Sequence, residues 1–106
     1  SYRIIYVPGW DEYLIKMSKA DQEAIIRKID KQQFETHIRH LKKGTRFSVL
    51  EVGQNRITLI INEREKTKEI HFVGNHKQYE KWYTQNIGFR DEDWSETSEL
   101  QITVRL

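Results

Sequence analysis

The apolar residues near the start of the chain change from a period of two to a helical period. Residues 2–7 alternate between the two faces of a strand, which Pro8 and Gly9 end. The next apolar residues fall at i, i+3, i+4 and i+7, as in a short amphipathic helix; they are Trp10, Tyr13, Leu14 and Met17. Ser18 and Asp21 form an approximate capping box, which predicts the start of a second helix.

The second predicted helix carries three isoleucines that we expect to be buried: Ile25, Ile26 and Ile29. Helical spacing continues through Phe34, Ile38 and Leu41, so the helix is expected to extend, with or without a break, to about residue 42. Gly44 ends this helical half of the chain.

Three segments of strand-like composition follow, at about residues 46–52, 56–62 and 69–73. The gaps between them are short enough for antiparallel hairpins. After Gly74, residues 75–86 return to a helical pattern whose aromatic residues share one side; they are Tyr79, Trp82 and Tyr83. Residues 100–106 alternate once more and predict a further strand at an edge.

The predicted order is β-α-α-β-β-β with a C-terminal helix. This order indicates an α+β domain in which two N-terminal helices pack on one face of an antiparallel sheet. Alternation along the third strand turns Ile57, Leu59 and Ile61 toward the helices and Arg56 away from them. We expect one domain over residues 1–83 and an acidic extension over 84–106, which adds an edge strand, covers the active face or contacts a partner.

Composition narrows the functional classes. The 106 residues suit a single domain with a modest core, and no run of about eighteen apolar residues predicts a membrane span. The N-terminal residues do not resemble a secretion signal, so a cytoplasmic location is the expectation. Because the chain has no cysteine, disulfides, zinc knuckles and thiol catalysis are excluded.

The net charge of +2 is unevenly distributed. Residues 1–89 carry sixteen Lys/Arg and eleven Asp/Glu, a balance of +5, whereas residues 90–106 carry two and five, a balance of −3. A basic body suits a polyanionic partner that an acidic tail could mask, although many domains without nucleic-acid partners reach +5.

Arg56 and the four histidines are candidate chemical groups. An arginine at a strand start can hold a phosphate bidentately, and the alternative is a solvated surface arginine. His37 and His40 have a spacing that could ligate a metal, but Arg39 and the nearby lysines would repel a cation. A basic surface or a solvated helix end explains this pair better, and we expect neither a metal nor a cofactor.

The run from Asn75 to Tyr83 combines a histidine, two lysines and three aromatic residues directly after a buried strand. Aromatic side chains among cations suit stacking on unpaired bases beside a phosphate path. The alternative is an ordinary amphipathic helix, which we accept for Trp82 and leave open for Tyr83. His76 can exchange a proton near neutral pH, as RNA cleavage by its own 2′-hydroxyl requires.

The second half of the chain resembles the RelE/ParE toxin superfamily. The resemblance rests on the strand start Asn55-Arg56-Ile57, the apolar hairpin Leu59-Ile60-Ile61 and the segment 70–81, and it covers about residues 2–83. It is nearest to the HigB branch, whose last strand leads into a Gly-x-His-x-x-Tyr-Asp/Glu signature. Here that signature is Gly74, His76, Tyr79 and Glu80.

The resemblance implies a small endoribonuclease toxin that cleaves mRNA, usually in the ribosomal A site, and is held inactive by a HigA-like or RelB-like antitoxin. Arg56 would bind phosphate, His76 and Tyr79 would belong to the catalytic face, and Lys77 and His71 would be their neighbours. Further RNA contacts would come from five residues: Arg46, Lys43, Lys42, Lys81 and Tyr83.

Two features depart from this pattern. The strand before Arg56 reads Phe47-Ser-Val-Leu-Glu-Val52, with only Arg46 basic at its start, so a lysine base on that strand is doubtful and proton transfer falls to His76 or His71. The acidic extension is also longer than the family usually carries. Two alternatives stay open, a ParE-like inhibitor of DNA gyrase and a non-catalytic binding module with the same fold.

Overall fold

A computed structural model describes residues 1–35 and 47–88 of the chain. The elements in chain order are β1 (Arg3–Tyr6), a 3-10 turn (Leu14–Lys16), α1 (Lys19–Lys31), β2 (Phe47–Val52), β3 (Asn55–Asn62), β4 (Thr67–Asn75), α2 (His76–Tyr83) and a π-helical turn (Thr84–Gly88). The predicted α+β class is confirmed. The expected strand at 100–106 and the continuation of the helix to residue 42 lie outside the described residues. The division at residue 83 stays a prediction.

The strands form one sheet in the order β1-β4-β3-β2. Strands β2, β3 and β4 are antiparallel neighbours, as their short connections predict. Strand β1 instead pairs in parallel with β4, with Arg3 opposite Thr67 and Tyr6 opposite Ile70. The expectation of an antiparallel sheet throughout is therefore wrong for this pair. The chain passes from β1 through α1 to β2 at the far edge, and the three-stranded meander brings β4 back beside β1 in the same direction.

The first predicted helix is wrong, because residues 8–13 form turns and only Leu14–Lys16 are helical, as a 3-10 turn. The apolar positions were nevertheless identified correctly, since Leu14 is buried and Trp10 and Met17 pack against the core. Tyr13 at the start of this turn provides no side-chain cap, whereas the short helix α2 begins at a complete capping box.

Helix α1 begins where the capping signal predicts. The Ser18 hydroxyl accepts a hydrogen bond from the Asp21 backbone N–H at 3.1 Å. Ile25 and Ile29 are buried, and they share the core with residues of the sheet, among them Ile57, Leu59 and Ile70. The expectation that Ile26 is buried is wrong, because it is 38% exposed. Ile26 lies about 100° around the helix from Ile25 and faces away from the sheet.

Helix α2 packs on the opposite face of the sheet. Thr58 is paired with Phe72, and Arg56 with Gly74, so these residues share one face. Trp82 of α2 stacks on Phe72 with 5.3 Å between the ring centroids. Arg56 therefore does point away from α1, as alternation predicts, but the face it occupies is partly covered by a helix.

A cluster around Lys68 joins the start of β4 to β1 and to the end of α1. The Lys68 side chain is 1% exposed, and its ammonium donates to the Glu35 carbonyl at 2.6 Å and to the Gln32 side chain at 3.3 Å. The same ammonium lies 4.2 Å from the Tyr2 ring centroid. Burial lowers the pKa of Lys68, and these partners offset part of the cost of burying its charge.

Within the described residues, no helix is long and apolar enough to cross a membrane.

Gly74 is required by a close approach of two side chains. A Cβ at this position would lie 2.5 Å from Phe72 Cζ and 3.0 Å from Gln78 Oε1. We predict that Gly74→Ala lowers the free energy of unfolding by about 1–3 kcal/mol, because Phe72 and α2 must both move. Denaturant unfolding measures the loss. Gly53→Asn is the matched control, since a Cβ at Gly53 meets nothing within 4 Å and Asn tolerates its φ of +61°. A loss as small as the control's would contradict this account.

Glu63 gives the fold a predictable dependence on acid. The Tyr2 hydroxyl donates to the Glu63 carboxylate at 2.8 Å, and this hydrogen bond, followed by that from Lys66, lowers the pKa of Glu63 in the folded chain. Its contribution to stability is therefore complete above the ordinary value of 4.5 and lost as the pH falls through the lowered folded value.

We predict that the difference in unfolding free energy between wild type and Glu63→Gln shrinks as the solution is acidified below that ordinary pKa. Chemical denaturation at a series of pH values measures this difference. Tyr2→Phe is the control background, because without the hydroxyl the difference should depend less on pH. If the difference in unfolding free energy stays constant with pH in the wild-type background, this hydrogen bond does not control the loss of stability at acidic pH.

Candidate functional site

Arg56 lies in the middle of three strands at one end of the sheet. It is the second residue of β3, and its direct partners are Glu51 on β2 and Gly74 on β4. The β2–β3 turn places Val52 opposite Asn55, which leaves Gly53 and Gln54 as the turn itself. Because directly opposed residues of a sheet point to the same face, the Glu51 and Arg56 side chains emerge together.

The junction between β4 and α2 brings a histidine and a lysine to the same end of the sheet. Asn75 is the N-cap of α2, and its side chain accepts from the Gln78 backbone N–H at 2.8 Å. The Gln78 side chain in turn accepts from the Asn75 backbone N–H at 2.8 Å. This reciprocal capping box starts the helix without a loop, so His76 and Lys77 occupy its first turn beside Arg56.

These elements enclose an open depression of about 530 Å³. Its lining residues come from the β2–β3 hairpin and the β4–α2 junction: Glu51, Gly53, Gln54, Arg56, Asn75, His76 and Lys77. The structure thus brings together three of the residues singled out in the sequence, Arg56, His76 and Lys77. Two permanent cations and a titratable ring around one concavity make it suited to a phosphate group.

Arg56 is held between a carboxylate and an aromatic ring. Its guanidinium nitrogen lies 3.8 Å from the Glu51 carboxylate, and its central carbon lies 4.9 Å from the Tyr79 ring centroid. The Arg56 side chain remains 28% exposed. A guanidinium over a ring is fixed in direction and still presents its N–H groups to a ligand.

Tyr79 packs against Arg56 from the interior side of the site. It is only 6% exposed, and its ring contacts Phe72 as well as Arg56. Burial raises the pKa of the Tyr79 hydroxyl, Arg56 opposes the shift, and Glu80 adds to it, so the group stays protonated at neutral pH. With its faces occupied by protein, Tyr79 is poorly placed to stack on a nucleotide base and well placed to orient Arg56.

The His76 ring is accessible, with a side chain that is 62% exposed. Its Nε2 lies 3.6 Å from the Glu80 carboxylate one helical turn further on, where the two form an ion pair when the ring is protonated. Glu80 can therefore hold a protonated imidazole at the edge of the depression.

Other predicted site residues lie elsewhere. His71 is the extra residue of a β-bulge, since Thr58 pairs with Phe72 and Leu59 with Ile70. Its Nε2 lies 3.1 Å from Glu69, its ring contacts Phe47, and it does not line the depression. On α2, Lys81 is exposed and Tyr83 is half-buried against Tyr79. The predicted residues Arg46, Lys43 and Lys42, like His37 and His40, lie outside the described residues.

Sequence reasoning missed Glu51, the carboxylate of the depression. The strand Phe47–Val52 contains no lysine or arginine, so its composition predicts no phosphate-binding residue there. The signal that could have identified Glu51 is the hairpin register, because a two-residue turn at Gly53-Gln54 places it directly opposite Arg56.

Across residues 1–35 and 47–88, no group of three or more potential ligands could hold a metal ion.

The architecture is that of RelE toxins. The isolated Escherichia coli RelE toxin superposes with a TM-score of 0.62 at 11% identity, and the match covers 80% of this chain and 98% of that one. A chain of the intact E. coli RelBE toxin–antitoxin complex gives 0.61 at 11% identity, covering 71% and 96%. A chain of the RelB–RelE antitoxin–toxin complex from Methanococcus jannaschii gives 0.58 at 14% identity, covering 74% and 98%.

The expected resemblance to the RelE/ParE superfamily is confirmed at the level of the fold. The narrower likeness to the HigB branch stays a prediction. No protein-family model matches the sequence, and no curated protein matches it either.

The contact between Arg56 and Tyr79 can be measured as a coupling energy. We predict that a double-mutant cycle of Arg56→Ala and Tyr79→Leu, followed by denaturant unfolding, gives a coupling of about 0.5–1 kcal/mol, the usual size of an exposed cation–π contact. The same cycle with Tyr79→Phe should give a coupling close to zero, because phenylalanine keeps the ring and removes only the hydroxyl. Additive effects for Arg56→Ala and Tyr79→Leu would show that the ring does not hold the arginine.

Proposed function

We propose that the chain is the toxin of a type II toxin–antitoxin system, an endoribonuclease that cleaves mRNA by attack of its own 2′-hydroxyl without a metal ion. The observation that carries this proposal is the meeting of Arg56, His76 and Lys77 around one depression. The similarity of the overall fold to that of the E. coli RelE toxin supports it.

The chemistry requires two kinds of group, and the depression contains both. Charge builds on the phosphate oxygens as the 2′-oxygen attacks, and Arg56 and Lys77 stabilise that charge. A proton must also leave the 2′-hydroxyl and another must reach the departing 5′-oxygen, and His76 is the histidine placed to transfer one of them. Tyr79 acts from beneath by orienting Arg56. The products are a 5′-hydroxyl end and a 2′,3′-cyclic phosphate, or the 3′-phosphate to which it hydrolyses.

The partners follow from the same proposal. An antitoxin of RelB-like or HigA-like type binds the protein, as the toxin–antitoxin complexes among its structural neighbours suggest. The substrate is mRNA in the ribosomal A site, and the location is the cytoplasm. The basic balance of residues 1–89 suits both a ribosome and RNA.

Substitution of the depression residues tests the proposal. Induced expression of the wild type is expected to arrest growth and cut cellular mRNA, whereas Arg56→Ala and His76→Gln are each expected to lower the cleavage rate by about 10²–10³. Primer extension and end-group analysis of the mRNA measure both rate and products. Arg64→Ala, an exposed arginine on the β3–β4 turn, is the matched control and should behave as wild type.

Three results would refute the proposal. Products with 3′-hydroxyl and 5′-phosphate ends would exclude attack by the 2′-hydroxyl. Harmless overexpression would favour a binding module without activity. Intact mRNA together with inhibited gyrase supercoiling would favour the ParE-like alternative.

A further inference from the structure

We propose that Glu51 is the catalytic base of this reaction and that His76 is its catalytic acid. The inference rests on the proposed ribonuclease activity and assigns the two proton transfers to separate side chains. Among the described residues that line the depression, Glu51 is the one carboxylate, and no sequence pattern had marked it.

The strand register places the two groups on opposite sides of Arg56. Glu51 is paired with Arg56 from β2, and Gly74 is paired with Arg56 from β4, two residues before His76. Because neighbouring strands lie about 4.8 Å apart, the Cα atoms of Glu51 and Gly74 are separated by roughly 10 Å across the arginine. A phosphate bound by Arg56 would therefore have Glu51 on one side and His76 on the other. Attack by the 2′-oxygen and departure of the 5′-oxygen occur on opposite sides of phosphorus, so this arrangement fits an in-line displacement.

The Glu51 carboxylate is available for the reaction. It lies 3.8 Å from the Arg56 guanidinium, which is longer than the roughly 2.7–2.9 Å of a tight charge-assisted hydrogen bond, and its side chain is 68% exposed. The ion pair is therefore loose, and a phosphate can replace the carboxylate on Arg56 without burying an unpaired charge. The displaced carboxylate then remains beside the ribose, where a proton acceptor is needed.

Neighbouring charged groups distinguish the role of Glu51 as base from that of His76 as acid. The charged or titratable groups that face Glu51 across the depression are Arg56, His76 and Lys77. The ionised carboxylate is the form of Glu51 that accepts a proton, and it is the one carboxylate among the described residues that line the depression. The carboxylate beside His76 is Glu80, 3.6 Å from Nε2, and the protonated ring that pairs with it is the form that donates a proton. Lys77 carries no lone pair while charged, so it serves the phosphate and not the 2′-hydroxyl.

Glu51 and His76 together account for every proton that moves in the reaction. The 2′-hydroxyl proton passes to a Glu51 oxygen as the bond between the 2′-oxygen and phosphorus forms. The bond between phosphorus and the 5′-oxygen breaks, and the 5′-oxygen takes the proton from protonated His76. When water later opens the cyclic phosphate, His76 takes a proton from the water and Glu51 returns its proton to the 2′-oxygen. Both residues are then in their starting forms.

A substrate with an activated leaving group distinguishes base from acid. An mRNA in the ribosomal A site whose scissile 5′-oxygen is replaced by sulfur has a leaving group that departs without protonation, so its cleavage needs the base but not the acid. We predict that Glu51→Gln lowers kcat by about 10²–10³ on both mRNA and this substrate, with KM unchanged or lower because a negative charge has been removed. His76→Gln should be slow on mRNA and close to wild type on the activated substrate.

The pH profile provides a second measurement. With wild type, kcat on the activated substrate should fall as the solution becomes acidic and the carboxylate takes up a proton, and Glu51→Gln should lose that fall. Glu51→Asp keeps a carboxylate on a shorter side chain, so we expect it to retain part of the rate and the acidic fall. Glu65→Gln, an exposed carboxylate on the β3–β4 turn, is the matched control and should leave kcat unchanged.

The outcomes separate the two proposals. If wild type cleaves mRNA and Arg56→Ala does not, while Glu51→Gln cleaves at the wild-type rate or faster, the ribonuclease stands and the role of Glu51 is overturned. If the activated substrate rescues Glu51→Gln but not His76→Gln, the two roles are reversed and the assignment fails. If wild type cleaves neither mRNA nor the activated substrate, the proposed function fails and the assignment fails with it.

Discussion

The junction between β4 and α2 is the constraint on which the candidate site depends. Gly74 has no side chain, so Gln78 can pack over the strand end and complete the capping box with Asn75. This box starts α2 directly after the strand, and its first turn therefore lies next to Arg56. A loop of even a few residues would displace His76 and Lys77 from the depression and would move Tyr79 out from under the guanidinium.

The buried polar contacts of Lys68 and the accessible ion pair of Arg56 lie at opposite ends of the sheet. At the start of β4, Lys68 is fully buried among Gln32, the Glu35 carbonyl and the Tyr2 ring, and it joins three elements. Near the other end of β4, Arg56 of the neighbouring strand β3 lies opposite Gly74, is partly exposed and has a loose ion pair with Glu51. A buried charge with satisfied partners contributes to a specific fold, whereas a partly solvated charge with a loose partner can exchange that partner for a ligand.

The fold of this chain is supported by its superposition on RelE toxins, whereas its proposed chemistry is supported by the residues of the depression. The architecture matches RelE toxins over almost their whole length, yet identities of 11–16% leave the reacting groups to be argued from this chain alone. Here the strand that faces Arg56 offers a carboxylate and no lysine at the depression. In the reaction that we propose, Glu51 and His76 act as base and acid, and Arg56 provides the phosphate contact.

The sequence by itself determined what depends on neighbouring residues. Strand alternation, the Ser18 cap and the aromatic stripe of α2 are local patterns, and they identified the α+β class, the direction of Arg56 away from α1 and the packing role of Trp82. The tertiary structure decided what depends on residues distant in the chain. A 3-10 turn without a side-chain cap stands where the first helix was predicted, and β1 runs parallel to β4 because of the path through α1. Glu51 lies opposite Arg56 in a local hairpin, but the pairing of β3 with β4 is what brings His76 and Lys77 to the same end of the sheet.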